Sequence, residues 1–176
     1  MDGTRITGYK QVGPQRYREV LGFYYEDFTV GDVFEHRPGR TVTEADNVLI
    51  SMLGMNMSPL HIDAAYCEQT QWGKPLISSL VTLCIVGGMT VRSTSGKAVA
   101  NLGWDKIRLT QPVFAGDTLY AESRILAKRL SNKRPGEGII TCETVGLTSK
   151  GEVFLSFERS FLVPTREKGI EERARY

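Results

Sequence analysis

The chain has 176 residues, 41% of them hydrophobic and 24% charged, with a formal net charge of +2 at neutral pH. That length suits one sizeable core in a single domain, and the composition excludes a disordered or fibrous chain. Both charge signs are mixed along the sequence, without the basic stripe that a nucleic-acid-binding surface needs. Three cysteines, Cys67, Cys84 and Cys142, are widely spaced and sit among apolar or strand-like residues. They read as reduced, mostly buried thiols of a cytoplasmic protein. The N-terminus has no signal-peptide core. The most apolar run, 75–91, is interrupted by Ser78, Ser79, Thr82 and Gly87-Gly88. It falls short of the about 18 apolar residues of a membrane span. A soluble chain with no membrane or nucleic-acid partner is expected.

Residues 1–22 are polar, with Arg5, Lys10, Arg16 and Arg18 spread through them. They are expected to form an N-terminal arm laid on the domain or on a partner. The aromatic run 23–28 is suited to packing, and Val30-Gly31-Asp32 reads as a turn. A first strand follows over 33–42, broken near Pro38-Gly39. His36 falls in it and reads as a half-exposed strand histidine rather than a catalytic one. Thr43-Glu44-Ala45-Asp46 has the form of a helix start, with the Thr43 hydroxyl accepting from a first-turn amide and Asp46 reaching back. Val48, Leu49, Met52 and Leu53 give that helix an apolar face, and it should end near Gly54. The chain then crosses 56–63 without regular structure, and Asp63 caps a short helix that Gly73 and Pro75 stop.

Ser78 or Ser79 caps the next helix, over about 80–92. Its sequence is apolar nearly all round, which predicts a helix buried inside the fold. Gly87 and Gly88 each cost roughly 1 kcal/mol against alanine in a helix interior. They make sense where another element packs closely, such as the concave face of a sheet. From residue 98 the pattern has period two, with strands predicted over 98–110, 118–130, 138–148 and 152–163. Short connections between them predict an antiparallel meander. Residues 165–176 form a charged C-terminal tail, expected to fray. One buried helix and a curved antiparallel sheet, each needing the other's apolar face, predict an α+β fold with the sheet wrapped around the helix, in one domain over 23–164.

The stretch 56–63, Asn-Met-Ser-Pro-Leu-His-Ile-Asp, holds one of the chain's two histidines. An imidazole titrates near 6.5, so His61 can exchange a proton near neutral pH. The alternative is a loop histidine held by hydrogen bonds. Asn56 offers an amide oxygen and nitrogen but no proton-accepting base, and a turn or cap role suits it equally. Met52, Met55 and Met57 suit either core gap-filling or an adaptable pocket. Cys67 and Cys84 have no histidine beside them and are given no nucleophilic part. No metal-ligand spacing occurs in the sequence.

Three blocks resemble the MaoC-like dehydratases, or (R)-specific enoyl-CoA hydratases, of the hotdog fold. Asn-Met-Ser-Pro-Leu-His at 56–61 resembles their Asp-x-Asn-Pro-x-His motif. Trp72-Gly73 through Ser78-Ser79-Leu80 resembles their lead into the central helix. The segment 109–118, ending Val-Phe-Ala-Gly-Asp-Thr, resembles their Pro-Val-x-x-Gly-Asp-Thr turn. The blocks 41–47 and 134–140 are most similar to a single-hotdog branch that includes itaconyl-CoA and mesaconyl-CoA hydratases.

The resemblance implies a hydratase or dehydratase interconverting a short 2-enoyl-CoA and its 3-hydroxyacyl-CoA, with coenzyme A as part of the substrate and no other cofactor. It implies catalytic roles for His61 and Asn56, and a substrate-binding role for Ser78 and Ser79 at the N-terminus of the central helix. Lys133 and Arg134, in a hairpin loop, are candidates for the coenzyme A phosphates, with a solvated hairpin tip as the alternative. A homodimer, or a dimer-based oligomer, is expected. The family's aspartate corresponds to Asn56, its asparagine to Ser58 and its His-Gly pair to Ser78-Ser79, which leaves either His61 to carry both proton transfers or a substrate carboxylate to help, the second option fitting a branched dicarboxylic acyl-CoA. Two rivals follow: an acyl-CoA thioesterase, disfavoured because 80–91 contains no acidic residue, and a non-catalytic subunit that pairs with an active hydratase.

Overall fold

The computed structural model describes residues 8–174 and 176, the side chain of Glu172 excepted. Residues 1–7, and with them Arg5 of the expected arm, lie outside the described residues. The rest of that arm is a hairpin of β1 (Tyr9–Gly13) and β2 (Arg16–Glu19), paired antiparallel. β3 spans Val33–Thr41, with its pairing interrupted between His36 and Arg40, where Pro38 removes a ladder donor. α1 spans Glu44–Leu53, α2 Pro59–Ile62, α3 Ala64–Glu68 and α4 Ser79–Ser93. β4 (Ala100–Leu109), β5 (Thr118–Leu130), β6 (Glu137–Thr148), β7 (Val153–Pro164) and α5 (Glu171–Ala174) complete the chain.

The large sheet has the order β3-β5-β6-β7-β4, every neighbour antiparallel. The expected meander holds for β5, β6 and β7. β4 departs from it, pairing with β7 at the far edge, so segment 110–117 crosses from one side of the sheet to the other instead of closing a hairpin. The crossing leaves α4 lying across the sheet. Val81, Ile85 and Val86 of α4 are buried against Leu119, Ala121, Phe154 and Phe157. A second cluster, Phe23, Phe28, Ile125, Ile140, Cys142, Phe161 and Val163, absorbs the aromatic run ahead of β3. Each large side chain so buried contributes roughly 1.5–3 kcal/mol. This is the hotdog fold: a curved antiparallel sheet wrapped around a central helix.

The two helix glycines differ. A Cβ on Gly87 would meet the Trp104 ring at 2.9 Å, whereas one on Gly88 would meet nothing within 4 Å. Close packing therefore explains Gly87 alone, because α4 is covered on one face only. Leu80, Cys84, Gly88 and Val91 are exposed on the other, so Cys84 is not the buried thiol its apolar setting suggested.

His36 is buried, at 2% exposure, not half-exposed. Its Nδ1 lies 2.6 Å from Ser93 Oγ and its Nε2 2.8 Å from Ser123 Oγ, which in turn meets Thr144 Oγ1 at 2.7 Å. Burial, aided by the nearby Arg37 charge, lowers its pKa to about 4. The charged tail is docked rather than frayed. Tyr24 Oη donates to Glu171 at 2.6 Å, and Arg166 pairs with Asp27. Burial and the Glu171 bond push the Tyr24 phenol up to about 12. No helix among the described residues is long and apolar enough to cross a membrane.

Candidate active site

α1 begins as its sequence requires. Thr43 Oγ1 accepts from the Asp46 amide at 3.3 Å, and Asp46 Oδ2 accepts from the Thr43 amide at 2.9 Å. Burial alone would raise the Asp46 carboxyl, but the Thr43 bonds and the Arg40 guanidinium outweigh it and hold it below the usual carboxylate range. Val42 is fastened to the 114–117 turn by two backbone bonds, Val42 N to Asp117 O and Gly116 N to Val42 O, both 2.9 Å. Gly116 turns there at φ +97°, a conformation that glycine adopts without strain.

At the other end of α1, Gly54 caps the helix and Met55 takes φ +54°, with its side chain 86% exposed. Met52 and Met57 are also exposed, so none of the three fills a core gap. The left-handed turn at Met55 aims Asn56 back toward the fold. Asn56 N donates to Ser51 O at 2.8 Å, its Oδ1 accepts from Ser58 N at 3.2 Å, and its Nδ2 points at Ser78 Oγ at 3.4 Å. The turn role open to Asn56 is therefore present, and it is joined to Ser78. The loop is not irregular throughout: Pro59, in the first-turn position its fixed φ suits, starts the single turn α2. Asp63 Oδ1 then caps α3, accepting from Tyr66 N at 2.9 Å.

His61 stands at the end of α2, half-buried, with Nδ1 2.8 Å from the carbonyl oxygen of Leu76. A carbonyl can only accept, so Nδ1 carries the ring proton and Nε2 of the neutral ring carries the lone pair. Nε2 has no hydrogen-bond partner among the described residues. A cleft of about 210 Å³ lies against His61, lined also by Glu44, Asn47, Val48, Lys74 and Ala115.

Ser78 occupies the N-cap of α4, yet its side chain makes no cap bond and instead faces Asn56. Ser79 opens the helix and is exposed, with a first-turn amide that has no acceptor within its own helix. A second cleft of about 260 Å³, with Ile77 on the boundary between the two, is lined by Trp72, Ser79, Thr82, Pro112 and Val113.

Asn47 is a residue to which the sequence alone assigns no role. It is 2% exposed and uses both ends of its amide. Nδ2 donates to His61 O at 2.8 Å and to Leu76 O at 3.1 Å, and Oδ1 accepts from Ser78 N at 2.8 Å. The signal in the sequence is an asparagine, a poor helix former, inside a helix; the apolar face expected at Val48, Leu49, Met52 and Leu53 is exposed instead, and Asn47 and Ser51 face inward.

His61, Asn56, Ser78 and Ser79 are thus brought to one end of α4. Lys133 and Arg134 are not. They sit at the β5–β6 tip, and β5 runs for 13 residues from the turn beside the site, roughly 40 Å of strand at ~3.3 Å per residue. Arg134 Nε instead reaches Glu137 at 2.7 Å, as a hairpin tip would. Larger cavities of about 560 and 520 Å³ lie by the N-terminal hairpin and the C-terminal segment, lined by none of the predicted residues.

Residues 12–173 match the mesaconyl-CoA hydratase family. The mesaconyl-CoA hydratase of Cereibacter sphaeroides is 32% identical over 146 residues, 83% of this chain and 42% of the relative. The β-methylmalyl-CoA dehydratase of Chloroflexus aurantiacus is also 32% identical, over 83% of this chain and 41% of its own length. A solved MaoC domain dehydratase from Chloroflexus aurantiacus superposes with a TM-score of 0.77 at 31% identity, covering 82% of this chain and 41% of that one. The chain thus spans about two fifths of the length of these relatives.

Proposed function

The chain belongs to the mesaconyl-CoA hydratase family, and on that premise we propose that it adds water to a short 2-enoyl-CoA or removes it from the 3-hydroxyacyl-CoA. The observation that carries this reading is the bond from His61 Nδ1 to Leu76 O, which leaves Nε2 free as a base in a loop that Asn47 ties to Ser78 at the N-terminus of α4. In this reading the thioester carbonyl lies over that terminus and accepts from the Ser79 amide, where the helix dipole favours the developing negative charge. One such donor is worth ~10²–10³ in rate. Water is held between His61 Nε2 and the Asn56 amide oxygen. As the water oxygen bonds to C3, its proton passes to Nε2 and the double-bond electrons move onto the thioester oxygen. The enolate then takes that proton back at C2, so His61 carries both transfers and Asn56 none. Dehydration is the same path reversed.

For the substrate we propose a branched dicarboxylic acyl-CoA, on the strength of the relatives named mesaconyl-CoA hydratase and β-methylmalyl-CoA dehydratase. A second hotdog subunit, most simply another copy of this chain, is proposed to cover the free edge of β4. Leu102, Ile107 and Leu109 are exposed there, and a bare apolar edge strand calls for a partner. A second reading, a non-catalytic subunit of a mixed dimer, is favoured by one observation: Asn56, where an aspartate would supply a base, is engaged as a turn residue. Hydration of crotonyl-, mesaconyl- and itaconyl-CoA by the purified chain, followed at the enoyl-thioester absorbance, decides between them. Turnover abolished in His61→Ala supports the hydratase. No turnover by the wild type, with activity gained in Asn56→Asp, supports the partner subunit.

A further inference from the structure

We propose that Asn47 is the positioning residue of this site, setting the tautomer of His61 and the placement of the α4 N-terminus together through one amide; the catalytic part of this inference rests on the hydratase reading above. Two stretches distant from Asn47 and from each other in sequence, His61 and 76–78, meet at that amide. The His61 carbonyl belongs to α2, the Leu76 carbonyl to the strand-like bridge with Phe114, and the Ser78 amide to the end of α4. The Leu76 oxygen receives both the His61 Nδ1 proton, at 2.8 Å, and an Asn47 Nδ2 proton, at 3.1 Å. The acceptor that fixes the histidine tautomer is therefore itself held in place by Asn47.

The opposite end of the amide acts on the other half of the site. Ser78 N is the last amide before α4, and its 2.8 Å bond to Asn47 Oδ1 sets where the exposed Ser79 amide points. Asn47 in turn is anchored one helical turn from the Thr43–Asp46 capping box and, through Val42, to the 114–117 turn. Ile77 N to Val113 O at 2.9 Å closes the circuit. A buried asparagine in a helix interior carries a propensity cost against an apolar residue, and all three of its bonds go to backbone groups of the proton donor–acceptor loop or of the oxyanion end. A side chain merely filling space would need none of them. Misplacement of either half by about 1 Å is enough to cost ~10² in rate.

The test is Asn47→Ala, with Asn47→Asp beside it, which keeps the acceptor for Ser78 N and replaces the two donors to His61 O and Leu76 O. The readout independent of activity is the ring ¹⁵N spectrum above pH 8, where the two histidines are separated with His61→Ala. The wild type should show the unprotonated nitrogen of His61 at Nε2. Both Asn47 variants should show a mixture of tautomers. With the best substrate from the enoyl-CoA panel, kcat should fall about 10²-fold with KM changed less than threefold. The acid limb of the pH–rate profile should move. Ile140→Val, in the distant aromatic cluster, should lower thermal stability without moving either the tautomer or the limb. The inference is overturned if a folded Asn47 variant keeps the pure tautomer and a kcat within threefold. It is also overturned if neither variant folds, since Asn47 would then be a staple of the fold only. If the wild type turns over no enoyl-CoA but the tautomer still shifts, the hydratase reading fails and the positioning of His61 stands.

Discussion

The ring of His61 and the backbone of Leu76 are 15 residues apart in sequence, yet Nδ1 of one lies 2.8 Å from the carbonyl oxygen of the other. That contact decides which nitrogen of the ring is available for chemistry.

Replacing His61 with alanine should lower kcat by ~10²–10⁴, the usual worth of a positioned acid–base group. The fold should survive, because the ring is half-buried and its loop keeps the Asn47 bond to the residue-61 backbone. Circular dichroism alongside the hydration assay separates the two effects.

Asn56→Asp should fold as the wild type does. A carboxylate accepts from Ser58 N as the amide does, and the Ser78 hydroxyl, now donating, satisfies the other oxygen. Asn56→Ala removes both bonds and should lower the melting temperature and kcat together. A larger loss in Asn56→Asp than in Asn56→Ala would contradict this account of the loop.

His36 should make the protein acid-sensitive. Its pKa is about 4 in the folded chain against about 6.5 when unfolded, so between these values the unfolded state binds more protons. The associated stability is complete above pH ~6.5 and lost progressively as the pH falls toward 4, a total of ~3 kcal/mol. His36→Gln should flatten that part of the curve of melting temperature against pH; an unchanged slope would refute the assignment.

Gly87 and Gly88 should respond oppositely to alanine. Gly88→Ala adds a Cβ into open space and should gain ~1 kcal/mol of helix propensity, raising the melting temperature by about 2–4 °C in a chain of this size. Gly87→Ala drives a Cβ to 2.9 Å from the Trp104 ring, and the displaced indole should lower it. Differential scanning calorimetry distinguishes the pair.

A lysine at Ile107 or Leu109 should dissociate the proposed second subunit, because it puts a charge on the exposed edge of β4 that a partner strand would have to bury. Analytical ultracentrifugation reads this directly. A mass unchanged by the substitution would place the partner elsewhere.

Local chemistry made much of this molecule legible in its sequence. The Thr43–Asp46 box, the Asp63 cap, the Gly54 stop and the period-two strands are each determined by residues within a few positions of one another. The strand limits accordingly fall within one or two residues of those read from the pattern. His61 and Asn56 could be singled out because a proton-exchanging side chain and its neighbour lie in one short loop.

What the sequence did not contain was pairing at a distance. Periodicity gives a strand its faces but not its neighbour, so nothing local said that β4 would join β7 instead of β5. Composition marks α4 as apolar but not which side the sheet will cover, and so Cys84 and Gly88 stand exposed. The burial of His36, the docking of the charged tail and the convergence of His61, Leu76 and Ser78 on Asn47 are tertiary facts of the same kind. Each depends on a hydrogen-bond partner supplied by another element, and such partners exist only once the sheet has closed around the helix.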